Sequence, residues 1–330
     1  MNAIDTITLP TAADVAAAQK RIAGVAVRTP LLNPPVLDAR LGARVFLKPE
    51  IFQRTGSFKF RGAYNKISSI APDRRAAGVV AYSSGNHAQG VAAAAALCGM
   101  RATIVMPSDA PQLKRARTAA LGAEIVLYDR DTEDRAAIAR RIAAERGATL
   151  VPPYDDPFII AGQGTIGAEI VEDLERLGLA PDLVVVGASG GGLAAGTALG
   201  VKARAPAAVL YAVEPEGFDD TLRSFKSGQR EANPRMSGTI CDALMTPTPG
   251  ELTFPITRAL IGQGVTVSDE EVARAVRYAF EELKLVVEPG GVVALAALLA
   301  GKLEVKGKTV AAILSGGNVD AEMFAKLIAG

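Results

Sequence analysis

The stretch GVVAYSSGNHAQGVAAAAALCGMRATIVMP, residues 78–107, combines two kinds of pattern. A short apolar run rich in valine (78–83) precedes an alanine-rich helical run (88–98), and a second apolar run follows at 102–107. Short apolar runs separated by helical segments are typical of parallel strands in βαβ units. Because the same alternation continues on both sides, the sequence predicts an α/β fold.

The pattern extends in both directions from this stretch. Thr11 and Asp14 form a capping-box pattern, which predicts a helix over 11–23. The other expected strands lie at 44–47, 123–128, 148–153, 183–188, 208–214 and 309–317, and the other expected helices at about 111–120, 132–146 and 160–177.

The strand-helix units between about 70 and 155 are numerous enough to form a small sheet of their own. The segment VPPYDDP (151–157) has the proline content of a hinge. We therefore expect two domains, each with a mainly parallel sheet flanked by helices. A small mobile domain would cover 71–155, and a large one 1–70 and 156–330.

Composition excludes several classes of function. The 330 residues include 36 Lys and Arg against 35 Asp and Glu, a net charge of +1, and 49% are apolar. This balance gives no general attraction to nucleic acid or to an anionic membrane. No apolar run reaches the roughly 20 residues of a membrane-spanning helix, and Cys98 and Cys241 form no CxxC pattern. We expect a cytoplasmic protein with no nucleic acid or membrane partner.

Three loops rich in glycine and serine follow predicted strands. They are SSGNHAQG (83–90), SGGGLAAG (189–196) and SGGN (315–318). The carboxyl ends of parallel strands form the ligand crevice of an α/β fold, so the loops together indicate one anionic ligand. The middle loop leads directly into a helix, where backbone N–H groups favour a phosphate.

The middle loop also allows a different interpretation. Gly190, Gly192 and Ala195 fit a loose dinucleotide fingerprint, and Glu214 ends the next strand, where a ribose-binding acid would lie. A nicotinamide-dependent dehydrogenase is the corresponding alternative. This segment alone does not decide between the two.

A lysine in an apolar setting favours the phosphate interpretation. In FQRTGSFKFRGAYNK (52–66), Lys59 lies between Phe58 and Phe60 near the start of a predicted helix. Apolar surroundings lower the pKa of a lysine, which is what covalent catalysis by an amine requires. The alternative is a lysine whose stem packs while its amine reaches water.

Taken together and in this order, SFKFRGA, SSGNH, the triple-glycine loop and SGGN resemble the fold-type II pyridoxal-phosphate enzymes, which are tryptophan synthase β-like. Within them the chain is similar to the threonine dehydratase, serine racemase and 3-hydroxyaspartate dehydratase family, from about residue 11 to 325. The resemblance implies a carbon-nitrogen lyase that uses pyridoxal 5'-phosphate to convert a small β-hydroxy amino acid into a 2-oxo acid and ammonia. A racemase on the same scaffold stays open as the alternative.

The resemblance also assigns cofactor contacts. Lys59 would hold the cofactor covalently and act as general base at the substrate Cα, Phe58 would pack on the ring, and Asn86 would hydrogen-bond its phenolic oxygen. The phosphate would bind to Ser189, Gly190, Gly191, Gly192 and Leu193. Ser315 would face the pyridine nitrogen. A serine cannot keep that nitrogen protonated as a carboxylate would, so elimination is favoured over transamination.

Substrate contacts follow from the same resemblance. The α-carboxylate would bind to the loop that contains Ser83, Ser84, Asn86 and His87. Ser84 would also supply a second catalytic base, unless it is a plain turn serine. Arg135 would bind a second carboxylate, which makes 3-hydroxyaspartate a candidate substrate beside threonine and serine. Its alternative is a solvated residue on a charged helix.

Two further expectations concern a metal and the pocket shape. Glu214, Asp220 and the Phe218 carbonyl have the spacing of the family's divalent site, which predicts Mg²⁺ (or Mn²⁺), although an acidic surface turn would look the same. Asp242-Ala243 stands where the family often has Asp-Gly, so the Ala243 side chain is expected to narrow the pocket. The family commonly forms homodimers.

Overall fold

The computed structural model describes residues 8–83, 85–110 and 112–329. Its α-helices are α1 Ala12–Ile22, α2 Pro35–Leu41, α3 Lys59–Ser68, α4 Asn86–Leu97, α5 Gln112–Ala120, α6 Arg135–Arg146, α7 Pro157–Arg176, α8 Gly192–Lys202, α9 Asp220–Ser227, α10 Thr253–Leu260, α11 Asp269–Glu281, α12 Pro289–Leu299 and α13 Ala321–Ala329. Its strands are β1 Arg44–Pro49, β2 Val79–Tyr82, β3 Ala102–Pro107, β4 Glu124–Tyr128, β5 Thr149–Leu150, β6 Leu183–Gly187, β7 Val209–Pro215, β8 Gly264–Val267 and β9 Thr309–Leu314.

Across the described residues the strands form two sheets. One has the order β1-β9-β6-β7-β8 and the other β4-β3-β2-β5. Every pairing within them is parallel. The prediction of an α/β fold with parallel sheets flanked by helices is therefore confirmed.

The larger sheet is buried on both faces. β6 (LVVVG) and α12 (PGGVVALAALL) have no exposed residue. A helix that is apolar all round must lie inside the fold, and α12 packs in the same apolar core as β1 and β9. A second core fills the other face of the sheet, between it and helices α7 and α8.

Several predicted boundaries are wrong at the ends of elements. The strand expected at 148–153 ends at Leu150, because Pro152 and Pro153 have no N–H for sheet pairing. The helix expected from 132 begins at Arg135, since the Asp134 side chain caps it by accepting hydrogen bonds from Ala136 and Ala137. The strand expected to reach 317 ends at Leu314.

The smaller sheet lies wholly within 79–150, between two parts of the chain that build the larger sheet. The predicted domain boundaries and the mobility of the small domain stay predictions. In the part of the chain that the structure describes, no helix combines the length and apolar character needed to cross a bilayer.

Candidate active site

A pocket opens where the carboxyl ends of both sheets meet. β2, β6 and β9 each end in one of the three glycine- and serine-rich loops, and Lys59 begins α3 beside them. Residues of all these segments line the same pocket. The fold thus brings together the sequence-predicted residues that line it: Phe58, Lys59, Ser83, Asn86, His87, Arg135, Ser189, Gly190, Gly191, Gly192, Leu193 and Ser315.

Lys59 projects its amine into this pocket. Nζ donates a hydrogen bond to the carbonyl of Pro153 at 2.7 Å and lies 5.1 Å from the centroid of the Phe58 ring. Burial lowers the pKa of Lys59 to about 8, and the nearby Glu288 only partly offsets that effect. Near neutral pH the amine is therefore uncharged far more often than that of an ordinary lysine, which suits a nucleophile or a base.

The backbone before Lys59 is fixed to the loop after β9. Ser57 forms an antiparallel bridge with Gly316, and the N–H of Phe58 donates to the carbonyl of Ser315 at 3.0 Å. The N–H of Gly317 donates to the carbonyl of Gly56 at 2.9 Å. These bonds hold Lys59 and Ser315 on neighbouring segments, although the two residues are far apart in the sequence.

The glycine loop before α8 is shaped for close approach by a ligand. Gly191 has φ +91°, a conformation that favours glycine, and a Cβ there would lie 2.6 Å from Oγ1 of Thr253. Thr253 Oγ1 donates to the carbonyl of Gly190 at 2.7 Å, and Ser189 Oγ donates to Thr246 Oγ1 at 2.6 Å. The loop is thereby held in place, with the N-terminus of α8 at the pocket as expected of a phosphate site.

His87 is buried and uncharged in this site. Nε2 lies 2.9 Å from the carbonyl of Val151, which can only accept, so Nε2 carries the proton. Burial, together with the charge of Lys59, lowers the pKa of His87 to about 3. Nδ1 is buried and has no partner among the described residues, so His87 presents an unused acceptor.

Asn86 is held by two residues of the larger sheet's loops. Its Nδ2 donates to Glu288 Oε1 at 2.6 Å, and its Oδ1 accepts from Asn318 Nδ2 at 2.8 Å. Glu288 precedes α12, is buried and lines the pocket. Sequence reasoning missed Glu288, and the only available signal was an acidic residue directly before an apolar helix.

Arg135 reaches the pocket from the N-terminus of α6. Its guanidinium lies 5.8 Å from the centroid of the Tyr82 ring, and both residues line the pocket. Tyr154 forms another part of the wall, and a Cβ on Gly190 would lie 2.5 Å from the Tyr154 ring. No acidic side chain of the described residues forms an ion pair with Arg135, which leaves its charge available to an anionic ligand.

The pocket wall also contains a second lysine. Lys114 of α5 forms an ion pair with Asp242 at 3.0 Å, and both line the pocket together with Ala243. Burial would lower the pKa of Lys114, but Asp242 raises it above its ordinary value. Lys114 therefore holds its proton more firmly than Lys59 does. Ser84, expected as a second base, lies outside the described residues.

The expected metal residues lie at the end of β7, away from the pocket wall. Glu214 accepts hydrogen bonds from the N–H groups of Thr221 and Leu222 at 3.1 and 3.0 Å. Asp220 and Phe218 are also fully buried. No group of three or more His, Cys, Asp or Glu side chains in the described residues is arranged to hold a metal ion.

The pocket's donors fit the predicted cofactor. The amine of Lys59, with its lowered pKa, suits an aldehyde, and the glycine loop at the N-terminus of α8 suits a phosphate. The Phe58 ring lies beside the amine, where it can pack on a cofactor ring, and the neutral hydroxyl of Ser315 suits a ring nitrogen. Glu214, the acid of the dehydrogenase alternative, instead bonds the backbone of α9.

Comparison with known proteins agrees with this arrangement. A model of the family described as pyridoxal-phosphate dependent enzyme matches residues 22–316. The chain is 48% identical over 317 residues to an L-threo-3-hydroxyaspartate ammonia-lyase of Pseudomonas sp, covering 96% of this chain and 98% of that one. It is 41% identical to a serine racemase of Schizosaccharomyces pombe, covering 98% of this chain and 99% of that one. A solved structure of threonine deaminase from T.th. superposes with a TM-score of 0.89 at 44% identity, covering 94% of this chain and 99% of that one.

Proposed function

The chain belongs to the family of pyridoxal-phosphate dependent enzymes, and we propose that it is an ammonia-lyase whose preferred substrate is 3-hydroxyaspartate. The family match removes the dehydrogenase alternative. Threonine and serine are the other β-hydroxy amino acids that the same reaction would accept. The observation that carries the choice of substrate is the unpaired guanidinium of Arg135 in the wall of the Lys59 pocket, within the described part of the chain.

Residues of the pocket would divide the work of holding the cofactor. Lys59 would bind it covalently, Phe58 would pack on its ring, and Ser315 would bond its ring nitrogen. The phosphate would bind to the loop Ser189–Leu193. When bound, the cofactor supplies an aldehyde that joins an amine and a ring that withdraws electrons from the amino acid's Cα.

The reaction then needs one base and one carboxylate site. Lys59 Nζ, uncharged in part near neutral pH, takes the proton from Cα. Backbone N–H groups of the loop of Ser83, Asn86 and His87 would bind the α-carboxylate beside it, since Nδ1 of His87 carries no proton to donate. The β-hydroxyl takes up a proton and leaves as water, which balances the proton that Lys59 removed from Cα. The released enamine then takes up water to give a 2-oxo acid and ammonia. Ser315, which carries no charge, favours this elimination over transamination.

Arg135 would select the substrate by its second carboxylate. A guanidinium binds a carboxylate through two parallel N–H···O bonds, which a methyl or hydrogen at the same position cannot accept. 3-Hydroxyaspartate, which would yield oxaloacetate, therefore gains binding energy that threonine and serine lack. The relative from Pseudomonas sp carries the name of this activity.

The test is 2-oxo acid release from L- and D-serine, L-threonine and the 3-hydroxyaspartate stereoisomers. We expect Arg135→Ala to lower kcat/KM for 3-hydroxyaspartate by roughly 10- to 150-fold, as for a lost bond between charged groups, and to spare serine. Arg141→Ala, which removes an exposed arginine of the same helix, is the control and should change neither. Turnover of threonine or serine with no effect of Arg135→Ala on any substrate would overturn the proposal.

The racemase alternative can be measured in the same assay. The relative from Schizosaccharomyces pombe carries that name, and Ser84 would serve as the second base in either reaction. Chiral analysis of the amino acid left after incubation separates the two. Accumulation of the opposite enantiomer faster than 2-oxo acid would favour the racemase.

We also propose that Glu214, Asp220 and the Phe218 carbonyl bind Mg²⁺ (or Mn²⁺). Burial raises the pKa of Glu214 to about 8, with a contribution from Asp220, and raises that of Asp220 to about 7. Oδ2 of Asp220 is buried and lacks a partner within the described residues. A divalent cation with oxygen ligands would neutralise this pair and use the free oxygen.

We also propose that the protein forms a homodimer and that it is located in the cytoplasm. Phe52 and Val286 are 47% and 44% exposed. Their chain segments lie close together, because a Cβ on Gly317 would touch both Ile51, the neighbour of Phe52, and the Val286 carbonyl. Exposed apolar patches of this kind mark interaction surfaces. Sedimentation analysis of wild type and Phe52→Ser would test this surface, because loss of the interface should lower the measured mass from dimer to monomer. An unchanged mass of Phe52→Ser would contradict this choice of surface.

A further inference from the structure

Glu288 is an acidic side chain inside the pocket, and neither the sequence motifs nor the proposed reaction uses it. It lies before α12 with its side chain over the loop after β9, because a Cβ on Gly316 would collide with Oε1 of Glu288. Its backbone N–H donates to the carbonyl of Gly316 at 3.0 Å. It thus lies between Asn86, which is expected to contact the phenolic oxygen of the cofactor, and the Ser315–Gly316 segment, where the ring nitrogen is expected.

The hydrogen bonds around Asn86 fix which way its amide points. The carbonyl of Thr55 can only accept, so the Asn318 atom 2.7 Å from it is the nitrogen Nδ2. The same nitrogen donates to Asn86, which must present its oxygen there. Asn86 Nδ2 therefore faces Glu288 and donates to Oε1. Its second hydrogen has no protein acceptor in the described part of the chain.

The charges that face Glu288 come from three other elements. Lys59 of α3 and Lys114 of α5 favour its ionised form, and Asp242 opposes it. Burial is the largest effect and, with Asp242, raises the pKa of Glu288 to about 8. In turn, the ionised carboxylate favours the charged form of Lys59. The two groups therefore influence each other's ionisation in the pH range where the enzyme would work.

We propose that Glu288 is a positioning residue of the cofactor site. Its side chain holds the Asn86 amide in the orientation that leaves one N–H for the cofactor, and its negative charge favours the protonated form of Lys59, which lines the same pocket. When Glu288 is neutral, Lys59 gives up its proton easily and can attack the cofactor aldehyde. When Glu288 is ionised, the carboxylate retains the ammonium form. The inference rests on the proposed cofactor site but not on the identity of the substrate.

The experiment follows recombination of the apoprotein with pyridoxal phosphate as a function of pH, by absorbance and without substrate. Glu288→Gln keeps an acceptor for Asn86 and removes the ionisation. We expect the midpoint of the recombination rate to fall by roughly half a pH unit, because only the uncharged lysine reacts. Glu322→Gln, which removes an exposed carboxylate on α13, is the matched control and should keep the wild-type midpoint.

A second variant separates the two roles and guards against misfolding. Glu288→Asp keeps the charge but shortens the reach to Asn86, so we expect a midpoint close to wild type with weaker cofactor retention. The proposal would be overturned if Glu288→Gln, with an unchanged circular dichroism spectrum, recombined with the cofactor at the same pH midpoint as wild type. Equal cofactor retention by wild type and Glu288→Asp would overturn it as well. Failure to release any 2-oxo acid would refute the proposed substrate and leave this inference standing.

Discussion

The two lysines that line the described part of the pocket differ in their hydrogen-bonding partners and in their pKa. Lys114 has Asp242 at 3.0 Å and a raised pKa, whereas Lys59 donates to a backbone carbonyl and has a pKa lowered to about 8. The flanking Phe58 and Phe60 allowed the low pKa of Lys59 to be predicted from the sequence. Glu288 could not be predicted, because its importance depends on a fold that brings residues 86 and 288 together.

The metal proposal is also decided at single residues. We expect Mg²⁺ at pH 8 to raise the melting temperature of wild type, because a ligand that binds only the folded state stabilises it, and to have no effect on Asp220→Asn. Asp219→Asn, which changes the neighbouring carboxylate paired with Arg223, is the control and should respond like wild type. Differential scanning calorimetry with EDTA as reference measures the shift.

The pH dependence of that response has a definite sign. Protons compete with the cation for Glu214 and Asp220, whose pKa values burial raises to about 8 and about 7, so that both carboxyls are protonated in the metal-free protein below about pH 7. The stabilisation by Mg²⁺ should therefore weaken as pH falls below about 7. Equal responses of Asp219→Asn and Asp220→Asn would contradict the site.

At the scale of elements, α3 is held by a buried ionic network that no sequence pattern indicates. Arg61, two positions after Lys59, is fully buried and pairs with Glu50 and Glu169, each at 2.7 Å. Lys48 of β1 also pairs with Glu169 at 2.7 Å. The network connects β1, α3 and α7, and so fixes the helix that begins with Lys59.

Removing one member of this network should be costly. We expect Arg61→Met to lower the free energy of unfolding by about 3–5 kcal/mol, because the buried Glu50 loses its charged partner and Glu169 keeps only Lys48. Arg146→Met removes an exposed arginine paired with Glu124 and should have little effect. Urea unfolding of both variants is the measurement, and similar small losses would show that the network contributes nothing.

The free energy of unfolding at acid pH should depend on the same ionic network. Burial alone would raise the pKa of Glu169, but Arg61 and Lys48 lower it below the ordinary 4.5. A lowered carboxyl pKa gives stability that is present above that ordinary value and is lost as pH falls below it. In Arg61→Met this loss should shift to higher pH.

Element boundaries were predictable where a local signal exists. The capping box at Thr11 and the strand 102–107 appear in the structure as expected. The end of β5 follows from Pro152 and Pro153, a signal present in the sequence. β8 and α12 carry no comparable signal, because a short strand and an entirely apolar helix owe their conformation to the core that surrounds them.

At the scale of the whole molecule, the site exists because loops that follow strands of both sheets line one pocket. Hydrogen bonds from Asn86 to Glu288 and from Lys59 to Pro153, and the ion pair of Lys114 with Asp242, all join parts of the chain far apart in sequence. The three loop motifs predicted which segments meet. They could not predict which side chains bond one another across the pocket, since that depends on packing of the complete fold.

Whether Lys59 holds the cofactor can be measured by incubating the protein with pyridoxal phosphate, reducing with borohydride and mapping the modified peptide by mass spectrometry. We expect one major modification, on Lys59, which disappears in Lys59→Ala and persists in Lys114→Ala, the control that removes the other pocket lysine. Modification of Lys114 or of another lysine in the wild-type protein, with Lys59 unmodified, would contradict it.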